Sequence, residues 1–300
     1  MMNSRMLSKD VELFQVIEFH GPTHDAQWML PGVPAASLER NLGWMSPDYF
    51  MPVTNRLVFT FQLWILKMAG GFVIVDTGVG NSKKRTAPSQ HMLNNPVLDW
   101  LKAIGAEPEQ VKHVICTHLH GDHVGWNTKL VDGRWIPTFP NATHYLPRID
   151  WEVYSERQKA GTLLKVFEEP LKDSVMPIVE AGLAKFMDDG DEAAGLIAHA
   201  APGHTPGNMI YSLNTGGVEH LFTGDVIHSP IQILHPDINS RWCELQDVAR
   251  NTRVNVLRRA AANNSNILPA HAKLMAGWHV QQSGDAFSID IQAAKSAEVA

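Results

Sequence analysis

The sequence predicts an α/β protein, and three observations carry that expectation. Apolar runs of strand length recur through both halves of the chain. Helical stretches recur between them. Several of these strands run directly into a short polar turn, as in "VDTG", "FTGD" and "LPAH". With 300 residues, 44% of them hydrophobic, the chain is long enough to bury a large core, and it is read as one domain over residues 1–300. No fixed-period repeat divides it.

The elements follow in order. Residues 11–19 alternate as a strand. The stretch from about 20 to 55 is rich in Pro, Gly and aromatics and predicts a long loop, whose Trp28, Trp44, Tyr49 and Phe50 could cover a pocket. Leu57 to Val75 reads as two strands, because Gln62, Lys67 and the pair Gly70–Gly71 interrupt what would otherwise resemble a membrane span. A helix is expected from Pro96 to Ile104, stopped by Gly105. "VKHVICTH" is a strand and "RWIPTFPNATHYLP" a hairpin, and residues from about 149 to 184 form a helical insertion broken at Pro170 and Pro177. In the second half "GLIAHAAPGHTPG" is a strand entering a loop. Gly216 and Gly217 turn a hairpin, and a helix over 245–262 precedes the short strand "NILPAH". Arg250, Arg253, Arg258 and Arg259 are read as the solvated face of that helix.

Composition narrows the classes. Net charge is −6 and no block of Lys and Arg occurs, which argues against nucleic acid or an anionic membrane as partner. The two cysteines, Cys116 and Cys243, form neither a disulfide framework nor a CxxC pair. Cys116 reads as a small buried hydrophobe. No signal-peptide pattern opens the sequence, so a reducing cytoplasmic location is expected.

The chemistry gathers in "THLHGDHVGW", residues 117–126, which places His118, His120, Asp122 and His123 within six positions. Three more polar residues sit where strands end: His204 in "PGHTPG", Asp225 in "FTGD" and His271 in "LPAH". Imidazole and carboxylate suit divalent ions such as Zn²⁺, and seven such groups exceed one tetrahedral site. They suit two ions that share a carboxylate. His118 and His120 can converge on one ion, and Asp122 and His123, past the turn at Gly121, can reach a second.

Together these stations resemble the metallo-β-lactamase superfamily. "HLHGDH" matches its HxHxDH motif, and "VDTG", "PGHTPG", "TGD" and "LPAH" follow in the family's order. The resemblance implies a four-layer αββα sandwich with two divalent ions, Zn²⁺ first and Mn²⁺ or Fe²⁺ as alternatives. It implies His118, His120 and His204 on one ion, Asp122, His123 and His271 on the other, and Asp225 between them. Asp76 would orient the histidine loop through hydrogen bonds. A hydroxide shared by the two ions would be the nucleophile, with Asp122 accepting its proton and passing it to the leaving group.

Within the superfamily the chain is most similar to the branch of lactonases, arylesterases and methyl parathion hydrolases, which implies a small ester or lactone substrate, with organophosphate triesters as side substrates. An acidic chain without lysine runs does not suit a tRNA-processing nuclease, and His at position 120 does not suit a flavodiiron oxidoreductase. Quorum-quenching lactonases usually carry tyrosine three residues after the bridging aspartate. Here "GDVIHSPIQ" has His228, which could donate a hydrogen bond to the substrate or be a loop histidine bonded to backbone. Acyl-homoserine lactonase, hydrolytic dehalogenase of chlorinated aromatics and a non-catalytic metal-binding protein remain as alternatives. Trp126 is expected to line the substrate pocket, and the apolar segment 162–183 could serve as a lid or a homodimer contact.

Overall fold

Alternating apolar residues resolve into two faces in the computed structural model, which describes residues 1–290. The chain opens on β1 (Met2–Ser8) and β2 (Val11–Asp25), an antiparallel pair. Three short helices follow, α1 (Ala26–Met29), α2 (Ala35–Arg40) and α3 (Leu42–Met45). Then come β3 (Phe50–Met51), β4 (Arg56–Met68) and β5 (Gly71–Val75). The expected loop over 20–55 is therefore corrected in its first part. β2 continues beside β4, pairing His20 with Thr60 and Gly21 with Phe59, and Pro22 is tolerated next to a shift of register.

Next come α4 (Val97–Ala103), β6 (Val111–Ile115), β7 (Thr128–Val131), β8 (Arg134–Pro137) and β9 (Thr143–Pro147). The hairpin expected within 134–147 is also corrected. β8 folds back onto β7 through Asp132–Gly133, both at positive φ (49° and 76°), whereas β9 lies parallel to β6. Asp-Gly is the favoured two-residue hairpin turn, and it lies just upstream of the segment read as one. The helical insertion comprises α5 (Arg148–Lys159), α6 (Lys165–Pro170), a π-turn over Leu171–Val175 and α7 (Met176–Glu180). β10 (Ala184–Met187) then completes the first sheet, ordered β1-β2-β4-β5-β6-β9-β10 with β3 on β4.

The second sheet runs in chain order: β11 (Glu192–Ala193), β12 (Leu196–Ala200), β13 (Met209–Thr215), β14 (Val218–Gly224), β15 (Asn266–Pro269), β16 (Trp278–Ser283) and β17 (Ala286–Ile289). Between β14 and β15 lie α8 (Ile231–Leu234) and α9 (Gln246–Asn263).

Side-chain alternation divides the apolar residues among three cores, as a four-layer αββα sandwich requires. Trp64, Leu66, Val73 and Val75 meet Tyr211, Phe222 and Leu268 between the sheets. Their neighbours Leu63, Ile65, Phe72 and Ile74 turn outward onto Val97, Leu101 and Tyr154 of the helices. On the far side Ile210, Leu221 and Ile267 pack against Val256, Leu257 and Ala260 of α9. Arg253 departs from its expected solvated face. It is 1% exposed, and its guanidinium donates to the carbonyls of Val226, Pro236 and Ile238 and to Asn239 Oδ1. The loop following Asp225 is thereby pinned to α9. Among the described residues no helix is long and apolar enough to cross a membrane.

Candidate metal centre and its cavity

All seven expected ligands converge at one end of the sandwich, each delivered by a strand end or the loop behind it. Their donor atoms fall into two groups, His118, His120, His204 and Asp225, and Asp122, His123 and His271. Asp225 stands between the groups. Its Oδ2 lies 3.1 Å from His204 Nε2 and 3.9 Å from His118 Nε2, and its Oδ1 lies 2.9 Å from His271 Nε2 and 3.2 Å from His123 Nε2. Asp122 lies farther out, 3.8 Å from His271 Nε2 and 3.9 Å from His123 Nε2, and receives a hydrogen bond from Gln90 Nε2.

The ring orientations are fixed from behind. His123 Nδ1 donates to Asp76 Oδ2, and His271 Nδ1 donates to the Thr60 carbonyl. His118 Nδ1 meets Thr117 Oγ1, which donates to Asp76. In each ring this leaves the Nε2 lone pair facing Asp225, the orientation a metal ligand needs. His120 turns its Nδ1 to within 2.9 Å of His204 Nε2 and directs Nε2 at Tyr154 Oη, itself bonded to Glu244. Asp76 also accepts the Thr117 backbone N–H, so one carboxylate orders the start of the histidine loop.

Electrostatics follows from this crowding. Burial pushes the Asp225 carboxyl up, but the imidazoles of His271, His123, His228 and His204 outweigh it and hold the group well below the usual range. Burial likewise disfavours the charged form of His204, yet Asp225 raises its pKa to about 10. His118 and His120 are pushed well down by burial and by their histidine neighbours. The donor set fits divalent metal ions. His118 Nε2, His123 Nε2 and Asp225 Oδ1 are sealed from solvent without a hydrogen-bond partner, and orphaned lone pairs of this kind otherwise destabilise a core.

Both glycines of the histidine loop, Gly121 and Gly125, are required by space. A Cβ on Gly125 would lie 1.9 Å from the Val79 carbonyl oxygen, because segments 77–79 and 123–126 are zipped by the bonds Thr77 N to His123 O, Gly125 N to Gly78 O and Trp126 N to Thr77 O. At Gly121 a Cβ would meet Arg85 Nε at 2.8 Å and Pro170 at 2.9 Å. Close approach, and not a left-handed turn, is therefore the constraint at Gly121.

Above the cluster opens a cavity, with about 670 Å³ of free space that includes open solvent at its mouth. Phe59, Phe61, Met29 and Trp242 line it, facing Val166, Phe167 and Pro170 of the helical insertion. Phe167 stacks on His120 with centroids 4.6 Å apart, so the apolar segment expected as lid or dimer contact forms a wall of the site. His228 lines the cavity with Nε2 3.2 Å from Asp225 Oδ2, and neither ring nitrogen has a hydrogen-bond partner. Gln232 Oε1 accepts the His228 and Ser229 backbone N–H groups, which holds the loop while leaving the ring free.

Trp126 requires a correction. Its indole is 3% exposed and donates from Nε1 to the buried Glu18 Oε1, away from the residues lining the cavity. It belongs to the core because the turn at 121–125 swings the chain under the zipped loops. Glu18, which sequence reading missed, also accepts the Val79 and Gly80 N–H groups. Burial still outweighs these bonds and pushes its pKa up to about 7. Of the aromatic residues expected to cover the pocket, Trp44 and Tyr49 instead pack toward Trp278, and Trp28 lies outside the lining, against His24. The lining residues Phe59 and Phe61 sat in a stretch legible only as strand.

A sandwich of two sheets between helices, with a buried His/Asp cluster at the strand ends, defines a metal-site fold. The profile of the metallo-beta-lactamase superfamily matches residues 63–271, well over half of the chain, and the chain belongs to that superfamily. It is 29% identical over 178 residues to the N-acyl homoserine lactonase AttM of Rhizobium radiobacter, covering 54% of this chain and 59% of that one. Against the N-acyl homoserine lactonase of Bacillus cereus identity is 24% over 173 residues, covering 54% and 61%. The chain thus spans about three fifths of the length of these curated relatives. The hydrolase AbOPH of the beta lactamase superfamily superposes with a TM-score of 0.79 at 23% identity, covering 96% of both chains. AidC, a dizinc quorum-quenching lactonase, superposes at 0.74 and 19%, again covering 96% of both. These likenesses carry the four-layer fold.

Proposed function

We propose that this chain is a dinuclear, most simply dizinc, hydrolase that opens the ester bond of small apolar lactones or esters. The observation that carries the reading is Asp225, with imidazole nitrogens facing each of its oxygens at the floor of an aromatic-walled cavity. His118, His120 and His204 would hold one cation, Asp122, His123 and His271 the other, and Asp225 both. When bound, such a pair supplies Lewis acidity and a water whose pKa falls toward about 7. Asp122, at the cavity edge with Gln90 steadying it, is placed to take a proton and return it to the leaving oxygen. Phe59, Phe61, Met29 and Trp242 exclude water from the acyl or alcohol part of the substrate. Among lactones, those with an N-acyl homoserine head are favoured by the names of the relatives. A panel of N-acyl homoserine lactones, alkyl lactones, p-nitrophenyl acetate and a phosphotriester tests the reading. Turnover of a lactone or ester, abolished by chelation and restored by Zn²⁺, is expected. Inertness toward every member of the panel with metal bound contradicts it.

His228 is assigned to the substrate oxygen. Burial pushes its pKa to about 4, so it is neutral near pH 7 and offers one N–H donor. His228→Ala is expected to leave metal content intact and lower kcat/KM about 10²-fold, the scale of one lost oxyanion donor. His228→Tyr should retain more activity on lactones than on aryl esters or phosphotriesters, since a phenol donates a similar bond. Unchanged kinetics across the panel for both variants would remove His228 from the mechanism.

A further inference from the structure

Besides His228, one histidine outside the ligand cluster faces the cavity among the described residues. His24, near the end of β2, lies among its lining residues. Its ring is held by packing alone. It stacks on Trp28 with centroids 5.2 Å apart and planes 9° apart, tilts against Phe59 at 6.0 Å, and meets Trp242 edge-on at 6.4 Å. Among the described residues its side chain makes no hydrogen bond, and Nδ1 is sealed from solvent without a partner while Nε2 is not. A buried N–H without an acceptor is a more costly defect than a buried lone pair of a weak acceptor, so the neutral ring carries its proton on Nε2. His24 therefore presents a fixed donor at the cavity rim, with no protein acceptor to receive it.

Position adds to this. Phe59 stacks on the candidate ligand His271 with centroids 5.1 Å apart, and His24 comes next beyond Phe59. The donor thus stands two rings out from the cluster, with Phe59 between it and His271. It stands beside the apolar surface along which the rest of the substrate would lie.

We propose that His24 is a specificity-determining residue, whose Nε2–H binds an acceptor oxygen, such as an amide carbonyl, carried by the part of an ester or lactone remote from the scissile bond. The inference rests on the hydrolase reading above and deepens it. It selects substrates with a polar acceptor set into an apolar body over purely alkyl ones. Trp28 and Trp242 hold the imidazole upright, and Arg241 secures Trp28 in turn. Its guanidinium lies 5.1 Å above the Trp28 ring and donates to the Trp28 carbonyl.

The test compares two lactones of similar length, one N-hexanoyl homoserine lactone and one γ-alkyl butyrolactone lacking the amide, on metal-loaded wild type, His24→Phe and His24→Gln. Phenylalanine keeps the stacking and removes the donor, whereas glutamine restores an N–H. For the amide-bearing lactone His24→Phe should lower kcat/KM about 10-fold, mainly through KM, and His24→Gln should recover part of the loss. For the alkyl lactone both variants should stay within about twofold of wild type. Equal losses on the two lactones, or none on either, overturn the proposal. If wild type turns over neither compound, the lactonase reading fails separately. Equilibrium binding of the same pair then decides for His24: a wild-type preference for the amide-bearing lactone that His24→Phe abolishes supports it, and the absence of such a preference overturns it.

Discussion

Asp225→Asn is expected to lower kcat/KM by at least about 10³-fold, because the variant removes the one group that faces both sets of donors. The substitution preserves shape, so the loss cannot come from a cavity. One carboxylate oxygen becomes an N–H₂ that points a proton at an imidazole nitrogen, either of His204 on one side or of His271 and His123 on the other. Attraction toward cations falls by a full charge at the same time. Metal content should drop with activity, measured by elemental analysis on dialysed protein. Full activity with full metal content in Asp225→Asn would show that the centre is wrongly drawn.

Gly125→Ala should be the most damaging single methyl in the chain. Its Cβ would sit 1.9 Å from the Val79 carbonyl oxygen, and that oxygen belongs to backbone zipped to 123–126 by three hydrogen bonds. Neither segment can retreat alone, because Glu18 grips the Val79 and Gly80 N–H groups and Trp126 at once. A loss of at least about 3 kcal/mol is expected, read as a fall in the urea midpoint, with weakened metal binding since His123 is displaced. A midpoint unchanged from wild type would contradict this packing.

These two sites show what the sequence made legible. The seven clustered positions could be read because each lies at or just beyond a strand end, and the chemistry of His and Asp gathered in that context is specific. Alternation along Leu63–Leu66 marked a strand with two buried faces for the same reason. Residues whose roles depend on distant partners were not legible. Glu18 looks like the polar member of an alternating strand, yet it holds loops 61 and 108 positions away. Arg253 looks like part of a solvated arginine face, but the carbonyls it satisfies are gathered by a loop fold that no local pattern reports. Trp126 follows the histidine motif directly and was expected in the pocket. The zipped turn carries it into the core instead. His24 became a cavity residue only because β2 extends six residues past its expected end at Phe19, to Asp25, alongside β4 and Phe59.

The claim that two cations share Asp225 is tested most directly by titrating metal-free protein with Zn²⁺ while bound metal and lactone or ester turnover are followed together. The account predicts that binding saturates near two ions per chain and that activity reaches its plateau only as the second is taken up. Saturation of both binding and activity at one ion per chain would contradict it.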